Sequence, residues 1–228
     1  MKATEKTVTM SALSNTNAPK LGAYYISGLY AVTPDEPDTT LLCAKVEATL
    51  QGGASLVQYR NKSADSDLRL QQASALLVLC RAYNVPLVIN DHLDLCAQID
   101  ADGAHLGGKD GDIDAARRLL GADKIIGASC YNRLDLVLEA QEKGASYVAF
   151  GACFNTSTKS NVVNAPLSLF AEAKQKISIP LVAIGGITLE NAPQVKQAGA
   201  DAIAVINALF GTEDITKTSQ QFIEIFKS

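Results

Sequence analysis

The sequence predicts one α/β domain, a (β/α)8 barrel of the TIM type, on three observations. Short apolar runs recur eight times along the chain, helical patterns fill many of the gaps between them, and a polar cluster follows almost every run. A chain of 228 residues that is 47% hydrophobic can close such a barrel around a sizeable core as one unit. The barrel is expected over residues 23–228, preceded by a poorly ordered tail over residues 1–22.

The runs are Gly28–Val32, Leu56–Tyr59, Leu87–Asn90, Gly103–Leu106, Ile125–Ser129, Tyr147–Gly151, Leu181–Ile184 and Ala202–Ile206. Most are continuous rather than alternating, as strands buried on both faces of a parallel sheet must be. The first helix starts at Pro37–Asp38, carries Leu42, Val46 and Leu50 four apart, and stops at Gly52–Gly53. Asp67–Tyr83 is long and apolar-periodic. The segments after the third and eighth runs look short or irregular. Arg133–Glu142, Leu167–Ile177 and Leu189–Gln197 repeat the helical spacing, and Ile215–Phe226 would close the chain. An echo supports the repeat. Gly53-Ala54-Ser55, Gly144-Ala145-Ser146 and Gly199-Ala200-Asp201, with Gly103-Ala104-His105 as a looser match, each stand at a strand entrance. There a left-handed glycine ends a helix and alanine lets the next strand pack closely. Eight such units favour a closed barrel over an open doubly wound sheet.

Composition excludes several classes. The net charge is −4 and no basic block stands out, which argues against a nucleic-acid partner. No apolar stretch reaches the roughly 18 residues of a membrane span. Residues 1–20 lack the apolar core of a secretory signal, and they carry Glu5 and no arginine, against a transit peptide. The five cysteines form no C-x-x-C pair and have mostly apolar neighbours, as reduced thiols of a cytoplasmic protein do. No H-E-x-x-H, Ser-His-Asp signature or P-loop is present. The sequence leaves homo-oligomerisation open.

Polar residues gather where barrels do chemistry, at the C-terminal ends of the strands. Gln58-Tyr59-Arg60-Asn61-Lys62 follows the second run, Asn90-Asp91-His92 the third and Gly107-Gly108-Lys109-Asp110 the fourth. Ser129 ends the fifth, Thr156-Ser157-Thr158-Lys159 follows the sixth, Gly185-Gly186 the seventh and Asn207 the eighth. Any one of these reads equally well as a solvated loop or a rim ion pair; one cluster per strand end does not. Arg60, Lys62 and Lys159 are cations suited to phosphate oxygens. Asp91 and Asp110 follow adjacent strands and offer hard oxygen ligands suited to Mg2+. Gly186 would let backbone N–H groups approach an anion, and a short helix after Ile206–Asn207 would face the same point. His105 reads more readily as a packed core histidine than as a base. The pattern asks for two anionic small molecules, one a diphosphate held with Mg2+, and shows no activated nucleophile. Displacement of diphosphate by a phosphate-bearing acceptor fits it.

In order, Val57–Lys62, Ile89-Asn90-Asp91, His105-Leu106-Gly107 with Asp110, Ile126-Gly127-Ala128-Ser129, Thr156–Lys159 and Ala183–Ile187 resemble the thiamine-phosphate synthase family, from about Gly28 to Leu209. The resemblance implies coupling of 4-amino-2-methyl-5-hydroxymethylpyrimidine diphosphate with hydroxyethylthiazole phosphate, giving thiamine phosphate and diphosphate. It implies that diphosphate leaves first and that the thiazole nitrogen captures the resulting pyrimidine methylene cation. Carried over residue by residue, Gln58, Arg60, Lys62, Asn90 and Lys159 hold the pyrimidine diphosphate, with Tyr59 and Asn61 counted in the same binding stretch. Asp91 and Asp110 bind Mg2+. Ser129 contacts the pyrimidine substrate or its diphosphate. Thr156, Thr158, Gly186, Ile206 and Asn207 hold the thiazole phosphate, with Ser157 between them. Arg60, Lys62, Lys159 and Ser129 are the expected catalytic set. Four positions depart from the family pattern: Gly108 stands where Gln is common, Ala152 and Asn155 stand where Pro is usual, and Asn207 replaces Ser. A related thiazole tautomerase, or a silent barrel that senses thiazole phosphate, would not need the carboxylate pair and the full cationic set.

Overall fold

A computed structural model of the chain describes residues 26–107, 112–155 and 164–227. The expected tail over 1–22 lies outside them, as do Gly108, Lys109, Asp110 and Thr156–Lys159. Eight parallel strands close on themselves in chain order. They are β1 (Gly28–Val32), β2 (Leu56–Tyr59), β3 (Leu87–Asn90), β4 (Gly103–Leu106), β5 (Ile125–Tyr131), β6 (Tyr147–Phe150), β7 (Leu181–Ile184) and β8 (Ala202–Val205). Closure is direct, since Gly28 to Ala31 of β1 pair with Ala202 to Val205 of β8. Around the barrel lie α1 (Thr39–Gln51), α2 (Ser66–Ala82), α3 (Leu93–Ile99), α4 (Ile113–Leu120), α5 (Leu134–Glu142), α6 (Ser168–Lys174), α7 (Ala192–Gln197), α8 (Asn207–Phe210) and α9 (Ile215–Lys227).

The expected strands match closely. β5 runs two residues past Ser129, with its register against β6 shifted between Ser129 and Tyr131. The expected ends of β6 and β8 each fall one residue short, at Phe150 and Val205. The helix α4 had not been singled out. Only Ile113 and Ala116 of its eight residues are buried, so its apolar spacing is too thin to read; Asp112 caps it through the backbone N–H of Asp114. The first helix behaves as read: Asp38 accepts from the N–H groups of Thr40 and Leu41.

The entrance echo has a common structure, with one correction. Gly53, Gly144 and Gly199 all have positive φ. The next residues, Ala54, Ala145 and Ala200, are buried and donate their N–H back to Thr49, Ala140 and Val195, the six-to-one bond that seals a helix end. The fourth member is Asp100-Ala101-Asp102, not Gly103-Ala104-His105. Asp100 takes the left-handed conformation, and Ala101 donates to Cys96. Aspartate tolerates that backbone region, so the motif hides from a search for glycine. The third residue of each unit ties neighbouring strands at the barrel's N-terminal end: Asp102 accepts from Leu87 N–H, Asp201 from Leu181 N–H and Ser146 from Ile126 N–H, while Ser55 donates to Leu29 C=O.

Side chains sort into two apolar layers. One joins the outward faces of the strands to the helices and holds Leu29, Val57, Ile89, Val148 and Ile203 with Leu42, Leu76 and Phe170. The other fills the barrel, with Tyr30, Val32, Leu56, Val88, Ile125, Tyr147 and Val182 among its members. All five cysteines are free; burial pushes the thiols of Cys80, Cys96 and Cys130 up to about 12, which keeps them inert. Among the described residues no helix is long and apolar enough to cross a membrane.

Gly103 tests the closure. A Cβ there would lie 2.0 Å from the carbonyl oxygen of Ile125 on the paired strand, and backbone cannot step aside. Gly103→Ala is expected to cost roughly 1–3 kcal/mol, read as a lowered urea midpoint with unchanged slope.

Candidate active site

The C-terminal ends of the strands carry a braced cationic loop, a carboxylate, and a glycine turn across the barrel from it. The cationic loop follows β2. Thr33, just past β1, clamps Arg60: its hydroxyl accepts from Arg60 N–H at 2.8 Å and donates to Arg60 C=O at 2.8 Å. Asp35 then accepts from the Arg60 guanidinium at 3.1 Å and from the backbone N–H of Lys62 at 2.9 Å. Arg60 is thereby largely enclosed while the Lys62 side chain stays exposed. Two cations are presented side by side on a loop whose backbone is fixed from β1.

Within this loop the structure separates residues that the sequence grouped. Gln58 turns into the barrel, where its amide Nε2 meets the Tyr30 hydroxyl. Tyr59 turns the other way, and its hydroxyl donates to Gln72 of α2 at 3.0 Å. Burial pushes that phenol up to about 12. Asn61 is also committed internally. Its Nδ2 donates to Glu36 C=O and to Gln72 Oε1, and its Oδ1 accepts from Ser63 and Ala64. No capacity of that amide is left for a ligand. The side chains of Tyr59 and Asn61 thus brace the loop: strand alternation sends Tyr59 outward, and Asn61 knots the turn behind the cations.

After β3, Asn90 donates to Asp91 Oδ2 at 2.6 Å, and the N–H of Gly107, at the end of β4, approaches Asp91 Oδ1 at 3.4 Å. Asp91 itself has positive φ, which turns the chain sharply at the mouth. Asp110, its expected partner, lies three residues beyond Gly107, outside the described residues. Among the described residues no group of three or more His, Cys, Asp or Glu side chains forms a metal cluster.

Across the barrel, Gly185 and Gly186 end β7 with φ of 95° and 67°. The chain after β6 lies directly against them: Cys153 and Phe154 donate to the carbonyls of Ile184 and Gly185. A Cβ on Gly186 would fall 2.4 Å from Asn155 C=O. Glycine is thus required here by both backbone conformation and close approach. Thr156–Lys159 lie outside the described residues. Asn191, which sequence reasoning missed, holds the turn by donating to Gly186 C=O and accepting from Thr188 N–H. Ile206 packs on the inner layer and Asn207 opens α8.

Ser129 and His105 meet inside the mouth: His105 Nε2 lies 2.8 Å from Ser129 Oγ, and Nδ1 lies 2.9 Å from the Tyr147 hydroxyl. Tyr30 and Tyr147 were also missed. The available signal was a pair of tyrosines inside otherwise apolar strands, where each buried hydroxyl demands a partner. Asp35 and Thr33 carried no signal, because their role depends on the β1 loop folding over β2.

Comparison with known proteins adds what geometry cannot. The family model for thiamine monophosphate synthase matches residues 29–209. The chain belongs to the thiamine monophosphate synthase family. Among relatives of this family, the thiamine-phosphate synthase of Methylobacillus flagellatus is 55% identical over 201 residues, 88% of this chain and 96% of that one. That of Nitrosomonas eutropha is 48% identical, covering 91% and 98%. A solved structure titled thiamine phosphate pyrophosphorylase, from Pyrococcus furiosus, superposes with a TM-score of 0.77 at 35% identity, covering 88% of this chain and 95% of that one. The family assignment makes the chain a transferase of thiamine biosynthesis, as the ordered motifs implied.

The split between braces and ligand-facing residues predicts a split in stability. Asn61→Ala, which strands buried partners, is expected to cost about 1–3 kcal/mol in urea unfolding, whereas Lys62→Ala stays within about 0.5 kcal/mol.

Proposed function

We propose that the C-terminal mouth of this barrel couples a pyrimidine diphosphate to a thiazole phosphate, with the two anions held on opposite sides. The observation that carries this reading is the placement of the braced Arg60–Lys62 loop and Asp91 across the barrel from the Gly185–Gly186 turn. One side neutralises a leaving group, and the other receives an acceptor.

The Arg60 guanidinium keeps free N–H groups for phosphate oxygens beyond the one given to Asp35, and Lys62 adds a mobile point charge. The resemblance adds Lys159 to this cationic set and puts Thr156, Ser157 and Thr158 on the thiazole phosphate. Asn90 orients both the substrate and Asp91. Asp91 suits Mg2+: it supplies hard oxygens already oriented by Asn90 and Gly107 N–H, and Asp110 would supply a second carboxylate. Bound there, Mg2+ would neutralise charge on the departing diphosphate.

The bond from the pyrimidine methylene carbon to oxygen breaks with its electron pair going to diphosphate. Arg60, Lys62 and Lys159 stabilise that charge as it develops. Electron release from the pyrimidine amino group supports the cation left behind. The thiazole nitrogen lone pair then forms the new carbon–nitrogen bond. Gly186, Ile206 and Asn207 hold the thiazole phosphate so that this nitrogen faces the carbon. Below the mouth the barrel holds Val32, Leu56, Val88 and Val182, an apolar floor that disfavours competing water beneath the cation.

Incubation with both substrates and Mg2+ should yield thiamine phosphate and diphosphate; folded protein that yields neither would overturn the proposal in favour of the tautomerase or sensor reading. Asp91→Asn should lower turnover at saturating Mg2+ by at least about a hundredfold, with thiazole-phosphate affinity by calorimetry changed less than about threefold. Equal loss of both would place Asp91 on the acceptor side instead.

A further inference from the structure

A continuous chain of four hydrogen bonds crosses the barrel interior and joins five side chains from five strands. Gln58 of β2 meets Tyr30 of β1; Tyr30 meets Tyr147 of β6 at 2.7 Å; Tyr147 meets His105 Nδ1 of β4 at 2.9 Å; and His105 Nε2 meets Ser129 of β5 at 2.8 Å. Its ends are two residues given to the pyrimidine substrate above. Its three middle members have no role there.

The order of donors along this chain follows from counting protons. Gln58 Nε2 can only donate, so the Tyr30 oxygen accepts. Tyr30 has one hydrogen, and giving it to Tyr147 is the order that leaves no buried phenol hydrogen without an acceptor. Tyr147 then gives its own to His105 Nδ1, which is the bare nitrogen in this order, and Nε2 carries the hydrogen and donates to Ser129 Oγ. The Ser129 hydroxyl hydrogen is left for an acceptor outside the chain, and Gln58 keeps Oε1 and its second N–H for a ligand. Burial raises both phenols well above the ordinary tyrosine range, so each keeps the proton this order needs.

The surroundings are shaped to hold the chain still. A Cβ on Gly127 would lie 2.1 Å from Tyr147 Cζ, so glycine at that position is the space the phenol occupies. Tyr30 meets Tyr147 edge to face at 5.8 Å, and the His105 ring stacks on Tyr147 at 5.6 Å.

We infer that Tyr30, Tyr147 and His105 are positioning residues: through them the Gln58 amide and the Ser129 hydroxyl are held as one unit that meets an aminopyrimidine with an acceptor at Gln58 and a hydroxyl donor at Ser129. This rests on the reading that the mouth takes a pyrimidine diphosphate. An aminopyrimidine offers an N–H donor beside a bare ring nitrogen, which complements an acceptor and a donor.

The test reads the chain directly. The sequence has two histidines, so 15N-histidine labelling of the His92→Asn variant isolates His105. The Nε2–H tautomer is expected, with a mixture of tautomers in Tyr147→Phe. In kinetics, Tyr147→Phe and Tyr30→Phe should each raise KM for the pyrimidine diphosphate by at least about tenfold, with KM for the thiazole phosphate unchanged. An Nδ1–H tautomer in otherwise unaltered protein, or a KM for the pyrimidine diphosphate that both folded variants retain within about twofold, would overturn the inference. Should the Phe variants fail to fold, the tautomer alone decides. The tautomer is read without substrate, so absence of coupling would count against the proposed function and not against the order of the chain.

Discussion

A phenol at the centre of a closed barrel must be given a partner for its hydroxyl and a space for its ring. Tyr147 has both, and much of the interior follows from it. Its ring occupies the place where residue 127 would otherwise carry a side chain, so the Ile126-Gly127-Ala128-Ser129 stretch is a strand with a gap cut for a neighbour. Its hydroxyl sits between Tyr30 and His105, and each of those leads to one further side chain at the mouth. Leaving a hydroxyl unpaired in such a place costs on the order of 1–3 kcal/mol, so one buried polar atom obliges a connected set. Around that line stand Val32, Leu56, Val88, Ile125 and Val182 of the inner apolar layer.

The cationic loop follows a different logic. It is held mainly through backbone: Thr33 binds the N–H and C=O of Arg60, and Asp35 binds the N–H of Lys62. Asn61 and Gln72 tie the same turn to the carbonyl of Glu36. Bracing the backbone and leaving the charged ends accessible presents cations without spending their donors. A rim ion pair that consumed the guanidinium would have defeated the site, and Asp35 takes only one contact from it.

The strands were legible because a parallel barrel buries both strand faces and writes each strand as an unbroken apolar run bounded by polar residues. The same continuity concealed which face each residue takes. Gln58-Tyr59-Arg60-Asn61-Lys62 looks like one binding stretch, yet Tyr59 and Asn61 point away from the residues beside them because alternation continues into the turn. The helix α4 and the Asp100-Ala101-Asp102 turn escaped for a related reason. Each uses a polar residue where the expected signal is an apolar or glycine one, and only the backbone conformation reveals the equivalence. Family resemblance named candidate ligands by motif but could not say that Tyr30 and Tyr147 join two of them, since that link crosses from β1 to β6 through the interior.

Aspartates at the two ends of the barrel show how location decides role. At the N-terminal end, Asp102 and Asp201 each accept a strand N–H at 2.7–2.8 Å and close the seams between neighbouring units. At the C-terminal end, Asp91 receives one short bond from a side chain and a long one from Gly107 N–H. A carboxylate that satisfies backbone donors at short range is part of the frame. One that is oriented but not saturated keeps lone pairs directed at the mouth, where a ligand can use them. The division between a stabilising face and a chemical face, general to this architecture, is thus visible here in the hydrogen bonds of a single residue type.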